Sequence, residues 1–528
     1  MKNLAISAVC LAALTACGGG GDPQPTPGGI GGDLREPVTS TASVASTASV
    51  ASTASATSPA PAPTSTASTA PALTLATAFF ASYDASLSTS IPASGATALA
   101  LTDGCSLNNG ASKALAVSDY DADTLRVASR QYDIGSVRSA IAVTAERTTT
   151  NANNTVRREI DVQYVIDYRD GTKDEKATQT LITGSSAGST LADGSACAAS
   201  QDIASLRFLG NKKIANTFVN ASNERLQRSL LASGLDATPP LTYNRYITLG
   251  VRDPAKIATY ATISGPGLTA GGVAATFKMV SPRLLRDDPL FAGKNGNYVD
   301  WRDTDTFRVC RTATGAFAAA DVADCVANGA TGSSWGNFGA TDPSAQDAAF
   351  SALGVIAGGV YTVKLYAGTG WKTVNGQAAE TPISTYTSSL ESLPMSTVAL
   401  AGTLAAPVNK YPELLTSTVT LPDIATNVRN KTAFSTDLTW AAPGVLPDGR
   451  KTGLNFLYSF EQGPATTGTA FFPASRQATR SYPASSAVAA TFNVPAPVPA
   501  LLPPTYFEAG LEYTNRNGNF IRNLRTFQ

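Results

Sequence analysis

Six cysteines and no histidine frame the chemistry open to this chain of 528 residues. Without histidine a protein lacks the side chain whose ordinary pKa lies nearest neutrality and which most often acts as general base. Two segments nevertheless have the order G-x-S-x-G: Gly184-Ser185-Ser186-Ala187-Gly188 and Gly332-Ser333-Ser334-Trp335-Gly336. The central serine of such a segment becomes a nucleophile when it sits between a strand and a helix, with a His taking its proton. The first segment follows a predicted strand, but the turn-like stretch Ser189–Ser195 comes next instead of a helix. The second lies in a Gly/Ser stretch, so both read as loops. Other hydrolytic arrangements are missing too. There is no S-x-x-K, Asp170-Gly171-Thr172 has the wrong order for an aspartic-protease loop, and no phosphate-binding glycine motif occurs in a βαβ setting. Catalysis is therefore not expected.

Carboxylates alone can cleave glycosides when two lie about 5 Å or about 6.5–9.5 Å apart. Asp300, Asp303 and Asp305 surround Trp301. Tyr298, Trp301 and Phe307 could stack on a sugar ring while Asp303 and Asp305 accept hydroxyl hydrogens, which marks a candidate glycan contact. The plainer reading is a solvated loop with one anchoring Trp. Asp119-Tyr120-Asp121-Ala122-Asp123 sets acids at positions 1, 3 and 5, as a calcium loop does. Thr124 replaces its glycine, however, and Arg130 its bidentate glutamate. No cofactor or metal is expected, structural calcium there or at Asp287-Asp288 with Asp300 being the alternative.

The N-terminus carries the most specific chemistry. Lys2 precedes the apolar run Leu4–Leu14, and Leu14-Thr15-Ala16-Cys17 follows directly. The run is shorter than the ~18 apolar residues a membrane span needs, so residues 1–16 read as an export signal. The tetrad resembles the lipobox of bacterial lipoprotein precursors. That resemblance implies a lipid thioether on Cys17, cleavage before it and acylation of the new amine, so that the bilayer becomes a partner. Several acyl chains on one residue escape the marginal binding of a single chain. Gly18 is not the Asp that retains enteric lipoproteins at the inner membrane, so the same resemblance implies the outer membrane.

Behind Cys17, residues 17–72 are mostly Gly, Ser, Thr, Ala and Pro, with Thr41-Ala-Ser-Val-Ala-Ser46 repeated at Thr47–Ser52. Such a segment has too little apolar area to offset the entropy of ordering and predicts a disordered tether. At roughly 5–6 Å × √n for about 55 residues, its reach is about 40 Å. With Cys10 lost to the signal and Cys17 to lipid, Cys105, Cys197, Cys310 and Cys325 remain. In an exported chain four cysteines allow three pairings. Unit boundaries select Cys105–Cys197 and Cys310–Cys325; free thiols or a metal site are the alternatives, and zinc is disfavoured without C-x-x-C or His.

The elements that must position these residues are mainly strands. Residues 73–236 predict an α+β unit. A helix at Leu73–Leu87 buries Leu73, Ala76, Phe79, Phe80, Tyr83 and Leu87 on a curved antiparallel sheet that includes Ile160–Tyr168, Lys176–Thr183 and Ser205–Asn211. This arrangement resembles cone-shaped folds of the nuclear-transport-factor-2 class. Residues 237–381 and 382–528 predict two β-sandwich-like units, which resemble immunoglobulin or fibronectin-III domains. The former has a turn at Ile263–Leu268, and the latter strands at Phe434–Trp440, Leu454–Phe460, Ala489–Val494, Tyr506–Tyr513 and Phe520–Arg525. Lys plus Arg (39) balance Asp plus Glu (39), so nucleic acid is not an expected partner. The expected role is a membrane-anchored binding or scaffolding lipoprotein that meets a glycan or an envelope protein. A carboxylate-dependent carbohydrate-active enzyme is one alternative, and an envelope assembly factor holding a small apolar ligand under the first helix is the other.

Overall fold

The computed structural model describes residues 69–122, 133–150, 156–169, 173–186, 188–191, 194–200, 202–229, 241–270, 272–281, 283–284, 306–310, 330–331, 334–336, 339–372, 380–412, 414–415, 429–432, 434–440, 454–462, 472–481, 489–494, 506–515 and 519–527, with a few single positions between them. The expected signal and tether, residues 1–68, and residues 290–305 lie outside the described residues.

Helix α1 spans Thr69–Ser86. Its spacing of three and four puts Ala72, Ala76, Phe79, Phe80 and Tyr83 on one buried face, continued by Leu87. Leu73, expected on that face, is 37% exposed; one position along a helix turns a side chain by about 100°, and Ala72 takes the inward place. The short α2 (Gly95–Ala98), the pair β1 (Leu107–Asn108) and β2 (Ala111–Ser112), and α3 (Lys113–Ala122) follow. Then β3 (Val137–Thr150), β4 (Val156–Asp167), β5 (Lys173–Thr183) and β6 (Leu206–Gly210) form a four-stranded antiparallel sheet in that order.

On β4 the period of two sends Ile160, Val162, Tyr164 and Ile166 into the core that α1 covers. Aromatic rings fill the junction: Phe80 lies 4.6 Å from Tyr164, and Phe208 lies 4.7 Å from Phe79 and 5.1 Å from Tyr83. Asp84 reaches from α1 to Arg138 on β3, accepting from its backbone N at 2.8 Å and from Nη1 at 2.9 Å. Burial raises the Asp84 carboxyl above its ordinary value, against the lowering pull of Arg138. On the β5–β6 side Cys105 and Cys197 form a disulfide with Cα atoms 5.0 Å apart. It packs with Ile182, Leu209 and Leu191 in a small apolar cluster.

The chain continues through β7 (Asn216–Ser229), β8 (Leu241–Arg252), β9 (Tyr260–Ala270), β10 (Val273–Val280), β11 (Arg308–Cys310), β12 (Ala330–Thr331) and β13 (Ser334–Trp335). Helix α4 (Pro343–Ser351), β14 (Val360–Tyr366), β15 (Ser384–Ser389) and α5 (Thr397–Ala401) come next. A six-stranded antiparallel sheet has the order β12-β11-β10-β9-β14-β15. The expected turn at Ile263–Leu268 is instead the middle of β9. Its glycines serve close approach: a Cβ on Gly265 would stand 2.3 Å from the Tyr361 ring, and one on Gly267 (φ +78°) 2.4 Å from Val355. Tyr361 and Trp335 then donate to the carbonyls of Pro266 and Gly267, at 2.8 and 2.9 Å.

The last strands are β16 (Leu414–Leu415), β17 (Phe434–Trp440), β18 (Leu454–Gln462), β19 (Phe472–Ser481), β20 (Ala489–Val494), β21 (Tyr506–Thr514) and β22 (Phe520–Phe527). β16, β17 and β20 pair in a three-stranded sheet, while a seven-stranded sheet runs β13-β8-β7-β22-β21-β18-β19. Within it β22 lies parallel to β7 and antiparallel to β21. The seven-stranded sheet therefore draws strands from all three units expected from the sequence, and its pairing crosses both expected boundaries, at 236 and at 381. Alternation identifies a strand but not its partner, which explains why those boundaries were drawn through one sheet. One apolar core takes Val219, Ile247 and Leu249 from this sheet and Ile263, Phe277 and Val363 from the six-stranded one. The architecture is mixed α+β, with several multi-stranded antiparallel sheets.

Two outcomes are expected. Asp84→Ala leaves the Arg138 guanidinium buried without its carboxylate and should lower stability by about 3–5 kcal/mol, read by urea denaturation. Replacing Cys105 and Cys197 together by Ala should lower stability by up to about 4.7 kcal/mol, the chain-entropy value for a loop of roughly 100 residues, visible as a lower thermal midpoint.

Candidate functional site: a buried charged row across four strands

The seven-stranded sheet carries charge where it is most deeply covered. In register, Glu512 on β21 faces Arg522 on β22, Arg522 faces Glu224 on β7, and Glu224 faces Asn244 on β8. Side chains paired in this way share one face of the sheet, so the four form a single row. All are buried: Arg522 is 0% exposed, Glu512 and Asn244 3%, and Glu224 6%. The Arg522 Nε donates to Glu512 Oε2 and Nη1 donates to Tyr246 Oη at 3.1 Å. Asn244 Nδ2 donates to Glu224 Oε1 at 2.8 Å. Burial opposes the Arg522 charge, but Glu512, Tyr246 and Glu224 outweigh it and hold the guanidinium's pKa above its ordinary value.

The row is not fully satisfied. Ser222 Oγ, Asn244 Oδ1, Thr248 Oγ1 and Arg522 Nη2, all on this face, are buried and have no hydrogen-bond partner in the structure. Thr526 Oγ1, on the same face of β22, is a fifth, and leaving each such atom unpaired costs about 1–3 kcal/mol.

The opposite face of the same strands is engaged differently. Asn519, Arg245 and Asn223 donate to the successive carbonyls of Leu393, Pro394 and Met395, at 2.9–3.1 Å. Asp347 on α4 accepts from Arg245 Nη1 at 3.2 Å and from the backbone N of Thr397 and Val398 at 2.7 and 3.0 Å. A strap of chain before α5 is thus held across that face, where Asn223 Oδ1 is likewise buried without a partner.

Most of the residues singled out from sequence fall outside the described part of the chain. Cys17, Tyr298, Trp301, Asp303, Asp305 and Cys325 lie outside the described residues, as do Asp123, Asp287, Asp288 and Asp300. Cys105 and Cys197 are joined. Cys310 is buried on β11 and engaged in a disulfide. Asp119 and Asp121 sit on α3 and not on an ion-binding loop, and Asp121 accepts from the Gly95 backbone N at 2.7 Å. Among the described residues no cluster of three metal-ligating side chains occurs.

The first G-x-S-x-G segment is a loop, as expected. Its central Ser186 accepts from Arg157 Nη1 at 3.0 Å and shares a hydrogen bond with Ser189, neither of which can take its proton. Its neighbour Ser185 is held by Asp103, which also accepts from the Cys105 backbone N at 2.8 Å. The second segment is no loop at Ser334-Trp335, which form β13 on the edge of the seven-stranded sheet. There Trp335 is drawn into the core against Phe277, at 4.3 Å.

None of Glu224, Asn244, Glu512 and Arg522 was singled out from sequence. On β22 the alternation of Phe520, Arg522 and Leu524 was the available signal, because Arg522 shares a face with two apolar neighbours. Glu512→Ala should cost about 3–5 kcal/mol by leaving Arg522 buried without its acceptor, and Glu512→Gln, which keeps an acceptor oxygen, distinctly less; urea denaturation of both variants gives the comparison. No protein-family model matches this chain and no curated protein matches it, so these residues are the basis for assigning the site a role.

Proposed function

We propose that the chain is a lipid-anchored lipoprotein of the bacterial outer membrane. It carries a β-rich binding or scaffolding body on a tether of residues 17–72. The carrying observation is the order of chemistries at the N-terminus: an apolar export run, a thiol at Cys17 directly behind small residues, then a stretch whose composition cannot pack. In this reading the four-stranded sheet curves around α1, and the six- and seven-stranded sheets pack as a sandwich around the core they share. Binding is preferred to catalysis because the chain has no histidine and the elbow-like Ser186 is bonded to groups that cannot act as its base.

Anchoring is tested by Cys17→Ser with metabolic labelling by an alkynyl fatty acid. The variant should lose the label and move to the soluble fraction. A variant that stays quantitatively in the membrane fraction overturns the reading.

A further inference from the structure

We propose that one end of the six-stranded sheet rests on the phospholipid surface of the membrane that holds Cys17. The proposal rests on the reading of the chain as a lipid-anchored protein, and it adds which end of the body faces the bilayer. Three exposed aliphatic side chains meet at that end: Val273 is 70% exposed, Ile356 53% and Val360 50%. Val273 opens β10 and Val360 opens β14, and both strands run antiparallel to β9, which lies between them. The two valines therefore leave the sheet at the same end, two strand spacings or about 10 Å apart. Ile356 lies beside them. A Cβ on Gly359 would stand 3.2 Å from Ile356 Cγ1 and 3.2 Å from Pro266 Cγ. Pro266 belongs to a bulge in which Gly265–Leu268 of β9 stand opposite Ala275 alone.

The segments that build this end carry no charge. The sequence has no charged residue from Ile257 to Phe277, from Ala348 to Val363 or from Thr381 to Leu390. Those segments supply β9, β15 and the near ends of β10 and β14. Glu391, next in the chain, is half-buried and has a partner. Such a surface can enter the headgroup region without desolvating a charge. Along β14 the first charge is Lys364, an exposed cation four residues from Val360 and so about 14 Å away, which suits anionic headgroups. Unpaired backbone groups are the other cost of entering lipid. Here the N–H groups of Gly354, Gly358 and Gly359 donate to the carbonyls of Ser351, Leu390 and Ile356, at 3.3, 2.8 and 3.1 Å.

The size of the patch separates a membrane from a second copy of the chain. A stable protein interface takes about 20–30 residues a side, and three aliphatic side chains with Pro266 fall far below that. A bilayer needs less. The tether of residues 17–72 keeps the body within about 40 Å of the lipid, and a tethered site meets its target at a high effective concentration. Val137 offers the contrast. It is 51% exposed, but it stands in register with Asp167, which pairs with Lys173 at 2.8 Å. A valine set among charges cannot approach lipid without desolvating them.

The test uses the full-length lipidated protein on vesicles of phosphatidylethanolamine and phosphatidylglycerol. Val273→Cys, Ile356→Cys, Val360→Cys and, for comparison, Val137→Cys are each labelled with an environment-sensitive NBD fluorophore. Cys105, Cys197 and Cys310 are disulfide-bonded and do not take the label. Labels at positions 273, 356 and 360 should shift their emission to the blue and be quenched by brominated acyl chains, while the label at 137 stays as in water. Val273→Asp together with Ile356→Asp should abolish the response at 360 and leave the thermal midpoint unchanged. Labels that all stay water-like overturn the proposal, as does an equal response at 137 or a response at 360 that survives both substitutions. A blue shift that the soluble Cys17→Ser protein shows without lipid, rising with its own concentration, also overturns it, because that is the behaviour of a second copy. Co-sedimentation with the vesicles is scored first. Its loss overturns the anchoring reading and this proposal with it, whereas protein retained with water-like labels overturns this proposal alone.

Discussion

The fold depends on the insertion of its last strand between two others. β22 hydrogen-bonds in parallel to β7 and antiparallel to β21, so the end of the chain completes a sheet begun near residue 216. Parallel neighbours need a crossover, and here almost three hundred residues provide it. Contacts so distant in sequence repay their loop entropy only when the whole intervening chain is in place. The apolar core shared by the six- and seven-stranded sheets draws its buried residues from Leu107 to Leu390.

The charged row specifies how that insertion is made. A slip of one residue in β22 would turn Arg522 out of reach of Glu512 and Tyr246 and onto the face that carries Ile521 and Tyr513. A buried guanidinium stranded there would have no carboxylate beside it, a penalty of several kcal/mol. The strap contacts act in the same sense from the other face. Asn519 and Asn223 reach the carbonyls of Leu393 and Met395 only when β22 and β7 stand in the observed register. Asn523 adds a bond to the Pro412 carbonyl at 3.0 Å. Polar groups on both faces thus oppose the slippage that an apolar sheet tolerates more readily.

Elements whose two faces differ in polarity were legible in the sequence. α1 and the alternating run in β4 declare themselves, because one side is apolar and the other is not. β17, β20, β21 and β22 also lie where the alternation put them. β7 was not legible: Ser222 and Glu224 are buried on one face, while Asn223 is held on the other by a carbonyl. A strand polar on both sides has no hydrophobic period to detect. Gly265-Pro266-Gly267 misleads for a different reason, since glycine serves close packing as well as turning, and only the rings of Tyr361 and Trp335 decide which. The candidate site was hidden by the same property that makes it a candidate: its residues are ionic and buried, and a sequence assigns such residues to solvent.

Burying unsatisfied polar atoms works against stability, and a sheet could carry Val in place of Thr248 and Ala in place of Ser222 at no cost in β geometry. Register alone does not require them, because Arg522, Glu512 and Asn244 already fix it through bonds that are made. The disulfide of Cys105 and Cys197 and the Asp84–Arg138 pair show how this chain treats polar or reactive groups that serve structure: each is joined to a partner. Open buried atoms are nevertheless not confined to this sheet: Tyr164 Oη and Gln179 Oε1 on the four-stranded sheet and Thr397 Oγ1 on α5 share that condition.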